Sequence, residues 1–359
     1  GIMVTASHNP AGYNGFKLML GELPITPEEL QSLARQMAAR DFVRAQGTCR
    51  QALLLDDYMA SLRGAFGGLK RRRVVVDAGN GSMGTVAPPV LRALGQRVDE
   101  LYCAPDGSFP NRDPNPAVAK HLGDLGRLML QVCADVGAAY DGDGDRVIFV
   151  DEQGRALPAD RTLVLFVRQL LRQQPGAQVV YDIKCSSVVA EEVRRLGGTP
   201  LIEKSGHAFI KRRLLIEGAA LGGEISGHYF FGALGGDDAL YATLYLLRVL
   251  DAAGMSLGQA IDTVPIYPIT PDLRLPCPPE RAQQALDELL VAFRDQPITT
   301  LDGVRIEFPA GWALARISVT EPLITLRFEA HTFDDLEAIK RRVRAGSPTL
   351  DQVMSEANA

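Results

Sequence analysis

The sequence is poor in the features that mark secreted, membrane-spanning or nucleic-acid-binding proteins. Its five cysteines, at 49, 103, 133, 185 and 277, are odd in number and widely spaced, and no Cys-x-x-Cys pair occurs. That excludes a disulfide framework and a cysteine zinc site, and it fits the reduced thiols of a cytoplasmic protein. No apolar run approaches the roughly 18–20 residues that a membrane-spanning helix needs, and no signal peptide is visible, so no membrane partner is expected. The net charge of −5 gives no bulk attraction to nucleic acid, and none is expected as a partner. Anion binding would have to come from local clusters of Lys, Arg and backbone N–H groups. The Gly-x-Ser-x-Gly elbow of many serine hydrolases is missing. So is an initiator methionine: the chain starts GIMVTASHNPAGYNGFK, which already looks like an active-site loop.

With 46% hydrophobic and 23% charged residues among 359, the chain has the composition of a globular protein of several domains. Two segments read alike. Residues 72–102 and 177–204 each run apolar strand, turn, helix, glycine, strand, which predicts βαβ units in mixed, largely parallel sheets. Each is followed by a polar loop between apolar runs, at 137–150 and 218–231. The opening loop has the same character, and its helical tail is expected over 26–40, with Thr26 as N-cap and Pro27 in the first helical position. From about 267 the pattern changes to a strand, a helix, short strands with turns and a closing helix, an α+β domain behind the Pro-rich linker 263–271. The expected fold class is α/β: tandem mixed-sheet domains, the first incomplete, and then a smaller α+β domain. The expected boundaries are 1–52, 53–155, 156–266 and 267–359.

Asp141, Asp143 and Asp145 in DGDGDR put three carboxylates at alternate positions of a glycine-opened loop. Three like charges this close are costly without a cation, and hard oxygen donors suit Mg²⁺. An EF-hand is rejected, because Arg146 stands where that loop needs glycine. Ser7, in VTASHNP, follows small residues in a tight bend that would expose its hydroxyl. A Ser–His hydrolase is unconvincing, since a histidine adjacent in sequence rarely folds back onto its neighbour's oxygen. Ser7 is left as either a phosphate carrier or a helix N-cap. GEISGH (223–228) offers an acid, a hydroxyl and an imidazole, and ARISVTEP (315–322) an Arg fork beside hydroxyls, but each is weak alone. Tyr229, Phe230 and Phe231 read as core.

Taken in order, the loops resemble those of the α-D-phosphohexomutase superfamily, and within it the bacterial bifunctional phosphomannomutase/phosphoglucomutase branch. TASHNP (5–10), YNGFK (13–17), NRDPNP (111–116), DGDGDR (141–146), DIKCSS (182–187), KSGHAFIKRRL (204–214), GEISGH, DGVRIEFPAGW (302–312) and RISVTEP (316–322) carry the resemblance. It implies an intramolecular phosphotransferase that interconverts hexose 1- and 6-phosphates of mannose and glucose through a phosphoserine and a 1,6-bisphosphate. By that resemblance Ser7 is the phosphoserine and, with Asp141, Asp143 and Asp145, ligates Mg²⁺. Lys17, Arg146 and His228 are catalytic, Glu224 and Ser226 hold the sugar's O3 and O4, and His8, Lys184 and His207 line the cleft. Arg316, Ser318 and Thr320 bind the phosphate that is not reacting, and glucose 1,6-bisphosphate is the activator. A monomer working on small hexose phosphates is implied.

Three departures stand out. Val319 replaces the asparagine usual in Arg-x-Ser-Asn-Thr. The glycine and isoleucine of DGDGDR and GEISGH differ from the DGDADR and GEQSGH usual in phosphoglucosamine mutases, which argues against that alternative. The leading half-domain of the resembling enzymes is absent, so an N-terminally truncated chain is expected, with residues 1–52 less protected than 70–260. The rival readings are a catalytically impaired remnant that binds sugar phosphate and a Mg²⁺-dependent phosphatase.

Overall fold

A computed structural model describes residues 1–9, 11–318 and 321–356. Strands gather into four sheets that follow the chain. In the first, β1 (Ile2–Val4), β2 (Phe16–Leu20) and β3 (Leu23–Pro24) are antiparallel, with Met3 opposite Lys17. Helix α1 (Pro27–Ala38) begins as expected: the Thr26 hydroxyl accepts the Glu29 N–H, and the Glu29 carboxylate accepts the Thr26 N–H. Ile2, Met3, Val4 and Phe16 are more than half exposed.

The second unit opens with α2 (Leu55–Phe66). Its sheet runs β5-β4-β6-β7, from β4 (Arg73–Asp77), β5 (Arg97–Leu101), β6 (Val136–Tyr140) and β7 (Val147–Val150). The first three strands are parallel, joined through α3 (Ala87–Ala93) and α4 (Gly123–Val132), and β7 returns antiparallel. This is the βαβ unit read at 72–102: β-branched runs buried on both faces suit a parallel strand covered by helices.

The third sheet repeats the plan in the order β12-β11-β10-β8-β9. Its strands are β8 (Gln178–Asp182), β9 (Thr199–Glu203), β10 (Leu221–Gly223), β11 (Tyr229–Phe231) and β12 (Gly236–Asp237). Around it lie α5 (Ala159–Gln173), α6 (Ser187–Arg195), α7 (His207–Glu217), α8 (Ala239–Ala253) and α9 (Leu257–Asp262). Tyr229, Phe230 and Phe231 are buried, as expected of core residues.

These two units do not keep separate cores. One apolar cluster runs unbroken from Leu62 to Val264. Helix α2 packs on α8, with the Phe66 and Tyr241 rings 4.7 Å apart, and the Tyr140 hydroxyl lies 2.7 Å from Thr243 Oγ1. Fusing the cores fixes the two sheets, and the loops they carry, against each other.

The fourth unit has its own core. Its antiparallel sheet, β13-β17-β16-β15-β14, uses β13 (Leu273–Pro276), β14 (Ile298–Thr299), β15 (Val304–Phe308), β16 (Gly311–Ile317) and β17 (Leu323–Ala330). Helices α10 (Pro279–Ala292), α11 (Phe333–Gly346) and α12 (Pro348–Glu356) cover it, the last being a helix the sequence reading did not anticipate. Trp312, the only tryptophan, is wholly buried where this unit meets Ile183 of the third. Its indole N–H donates to Glu329 Oε1 at 2.8 Å, and the Arg305 guanidinium lies 4.0 Å over its ring.

Candidate active site

All four sequence-flagged loops fall at the same place in the order of elements, between two antiparallel neighbours. Residues 5–15 join β1 to β2, 141–146 join β6 to β7, 224–228 join β10 to β11, and 318–322 join β16 to β17. The first three converge.

The serine loop lies directly on the acidic loop. Ser7 Oγ is 3.3 Å from Asp141 Oδ2, and the Thr5 hydroxyl donates to Asp143 Oδ2 at 2.8 Å. Their backbones approach so closely that a Cβ on Gly142 would stand 2.3 Å from the Ser7 carbonyl oxygen. Ser7 adopts φ 52°, the left-handed region that a serine rarely enters. That bend brings the neighbouring ring round, with His8 Nδ1 3.3 Å from Ser7 Oγ, and so corrects the expectation that an adjacent histidine would not reach back. Burial, and then the Arg146 and His228 charges, lower the His8 pKa.

Asp141, Asp143 and Asp145 offer ligand atoms within 4.8 Å of one another. Burial, reinforced by Asp145 and Asp143, pushes Asp141 up to about 7. Asp143 Oδ1 and Asp145 Oδ1 are buried with no hydrogen-bond partner. Orphaned hard oxygens and a carboxylate forced towards neutrality are what a cation would relieve, so these residues fit a metal. Lys17, carried opposite Met3 on β2, brings its ammonium into the same cluster, donating to Asp143 Oδ2 at 2.9 Å and also to Asp145. Burial alone would lower the Lys17 pKa, but the two carboxylates outweigh it and hold it raised.

The acidic loop is stitched to the sugar-type loop. Arg146 pairs with His228 as an antiparallel bridge, and the Val147 N–H donates to the Gly227 carbonyl. The Arg146 side chain donates from Nε to His228 Nε2 at 2.8 Å. His228 is almost fully buried. Burial pulls its pKa down, but the hydrogen bond to Asp237 and the charges of Asp145, Asp237 and Glu224 raise it overall. The ring is therefore a stronger base than a free histidine. Arg146's N–H faces Nε2, so in this arrangement that nitrogen is an acceptor. Glu224 accepts the Gly206 N–H at 2.6 Å and the Ser226 hydroxyl at 3.0 Å, leaving lone pairs on both oxygens.

Several partners are not among the predicted site residues, although Asp182 and Arg112 lie in DIKCSS and NRDPNP. Asp237 touches both His207 and His228. Asp182, pushed up to about 6 by burial and then by Glu224, accepts the Ser205 hydroxyl and the Lys184 N–H. Asp77 and Arg112, both buried, pair at 2.8 Å, and Arg112 also donates to the Tyr140 carbonyl at the root of the acidic loop. Regular spacing would not have found these. Asp77 and Asp182 leave a trace as a charged residue at the end of an apolar strand, whereas Arg112 and Asp237 do not.

The remaining predicted residues are not gathered with the rest. Lys184 directs its ammonium to Asp272 Oδ2 at 2.7 Å, across the joint with the fourth unit. Arg316 pairs with Asp302, and the Ser318 N–H donates to the Leu323 carbonyl; these contacts stay within the fourth unit. Thr320 lies outside the described residues, as does Val319.

Comparison with known proteins places four family models in succession. These are phosphoglucomutase/phosphomannomutase alpha/beta/alpha domain I over residues 1–44, domain II over 56–154, domain III over 158–267, and the C-terminal domain over 273–346. A phosphomannomutase/phosphoglucomutase of Pseudomonas aeruginosa is 38% identical over 345 residues, covering 95% of this chain and 74% of the relative. A phosphoglucomutase of Neisseria meningitidis is 37% identical over 353 residues, covering 96% and 76%. The crystal structure of a phosphoglucomutase/phosphomannomutase family protein from Burkholderia thailandensis superposes with TM-score 0.89 at 37% identity, covering 96% of this chain and 76% of that one.

Proposed function

The chain belongs to the phosphoglucomutase/phosphomannomutase family, and from that premise we propose how its own residues perform the family's reaction. The activity is that of a phosphomannomutase/phosphoglucomutase, interconverting the 1- and 6-phosphates of glucose and mannose through a phosphoserine and a 1,6-bisphosphate. Ser7 is the phosphate carrier. The observation that carries this assignment is the contact of its hydroxyl with Asp141, in a loop seated on the three-carboxylate cluster.

Asp141, Asp143 and Asp145, with the Ser7 phosphate, hold Mg²⁺. When bound, that ion neutralises phosphate charge and so favours transfer. The chain's residues do the rest. Glu224 and Ser226 take the sugar's O3 and O4, which leaves C2 unread and admits both glucose and mannose. The free sugar hydroxyl then attacks the Ser7 phosphate. A new sugar O–P bond forms as the Ser7 Oγ–P bond breaks, and the hydroxyl proton passes to His228 Nε2. Arg146, which donates to His228 Nε2, and Lys17, whose ammonium sits in the carboxylate cluster, offset the charge that builds on the transferring group. After the bisphosphate turns over, its other phosphate returns to Ser7 and His228 gives the proton back. Arg316, Ser318 and Thr320 hold the phosphate that is not reacting, while His8, Lys184 and His207 line the cleft. Glucose 1,6-bisphosphate primes the serine. The domain boundaries we propose are 52/53, 155/156 and 266/267.

The test is turnover of glucose 1-phosphate to glucose 6-phosphate with Mg²⁺ and a trace of glucose 1,6-bisphosphate, beside a Ser7→Ala chain. Serine-dependent isomerisation is expected. Release of free phosphate in place of isomerisation would overturn the reading in favour of a phosphatase.

A further inference from the structure

Asp237 sits on β12, opposite Phe230 in the register, and its carboxylate is only 5% exposed. Each of its oxygens meets one imidazole nitrogen: Oδ2 is 2.6 Å from His228 Nδ1, and Oδ1 is 2.9 Å from His207 Nε2. The two rings lie 5.2 Å apart, centroid to centroid. An ionised carboxylate has no proton to donate. Both facing nitrogens must therefore carry hydrogen: Nδ1–H on His228 and Nε2–H on His207. On a neutral His228 ring that leaves Nε2 as the lone-pair nitrogen. Nε2 is indeed the atom that accepts the Arg146 Nε–H, at 2.8 Å, a bond that the entering substrate hydroxyl displaces.

We infer that Asp237 is the positioning residue of the reaction. It fixes His228 in the tautomer whose Nε2 can take the substrate proton, and it holds His207 beside it. This rests on the assignment of His228 as the proton acceptor. The logic is that of a carboxylate orienting an imidazole in a hydrolytic triad, where the acid sets tautomer and direction and is not itself protonated. Here one carboxylate serves two rings. Of the twenty side chains only a carboxylate, Asp or Glu, can accept from both rings at once. Asn can accept from one ring only, because its NH₂ would meet the other ring's N–H, so one ring must change tautomer or turn.

The experiment compares wild type, Asp237→Asn and His228→Asn in the full chain. It measures kcat, KM, thermal unfolding and the ¹⁵N signature of the histidine tautomers. Wild type is expected to show His228 as the Nδ1–H form. In D237N the fixed form is expected to be lost, with kcat down at least about tenfold and KM changed by less than about threefold. Three results would overturn the inference: a wild-type His228 in the Nε2–H form, a D237N chain with the wild-type tautomer, or a D237N chain with wild-type kcat. The wild-type spectrum decides the matter even if D237N does not fold. H228N separates the two readings: full activity in that variant would remove His228 from the mechanism, whereas an inactive H228N beside an active D237N would remove only the role of Asp237.

Discussion

Gly142 is where the two halves of the chemistry touch, and replacing it with alanine is a direct test of how tightly they must meet. Its backbone carries no left-handed strain, so alanine is conformationally acceptable there. The added Cβ, however, would stand 2.3 Å from the Ser7 carbonyl oxygen, against an ordinary contact starting at 3.4 Å. One loop must retreat by roughly 1 Å. The acidic loop is anchored in a fused core and the serine loop in a small, exposed sheet, so the serine loop will move. A displacement of that size between a nucleophile and its electrostatic partners costs about 100-fold in rate, equivalent to about 2.7 kcal/mol. Stability should fall by less, about 1–2 kcal/mol, because the strain is released locally. The assay is kcat/KM for glucose 1-phosphate, with Gly47→Ala as control, since a Cβ at Gly47 meets nothing within 4 Å. Wild-type kcat/KM in Gly142→Ala would refute the claim that Ser7 works against the Asp141 loop.

Three further outcomes are expected. Lys17→Met removes an ammonium that competes for Asp143 and Asp145, so Mg²⁺ measured by calorimetry should bind about five- to tenfold more tightly while kcat falls. Asp77→Ala strands the buried Arg112 and should cost about 3–5 kcal/mol in urea unfolding, with weakened metal binding because Arg112 also supports Tyr140. Glu192 is buried, which alone would raise its pKa, but Arg195 and Arg168 bring it down from 4.5 to about 2. A depressed folded-state pKa means that this stabilisation is complete above the unfolded value and is lost as pH falls from 4.5 towards 2. The unfolding free energies of wild type and Glu192→Gln should differ by on the order of 1–3 kcal/mol at about pH 6 and converge in acid.

The parts of the fold that the sequence made legible are those written locally. Residues 72–102 and 177–204 became parallel βαβ units because β-branched runs, glycine stops and helix periodicity sit within one short window. Thr26 capped its helix for the same reason. The loops of the site were legible because each packs its chemistry into six or seven consecutive residues. What escaped was made by distance. The core shared by the second and third units depends on α2 meeting α8, whose contact at Tyr58 and the capping residue Asp238 joins positions 180 residues apart. The Asp77–Arg112 pair and the Asp237 bridge join residues that no spacing rule connects. The His8 contact was misjudged because it depends on a left-handed serine, and nothing in an Ala-Ser-His run announces a positive φ. Lys17 was expected near the reacting hydroxyl. That its ammonium enters the carboxylate cluster follows from the register of β1 and β2, which only the folded sheet defines.

The central claim is that Ser7 carries the phosphate. The most direct measurement is to treat the purified chain with glucose 1,6-bisphosphate and Mg²⁺, digest it and map phosphate by mass spectrometry, before and after adding glucose 1-phosphate. The account predicts phosphate on the peptide containing Ser7, discharged by the sugar and absent from Ser7→Ala. Phosphate on another residue, or isomerisation that persists in Ser7→Ala, would contradict it.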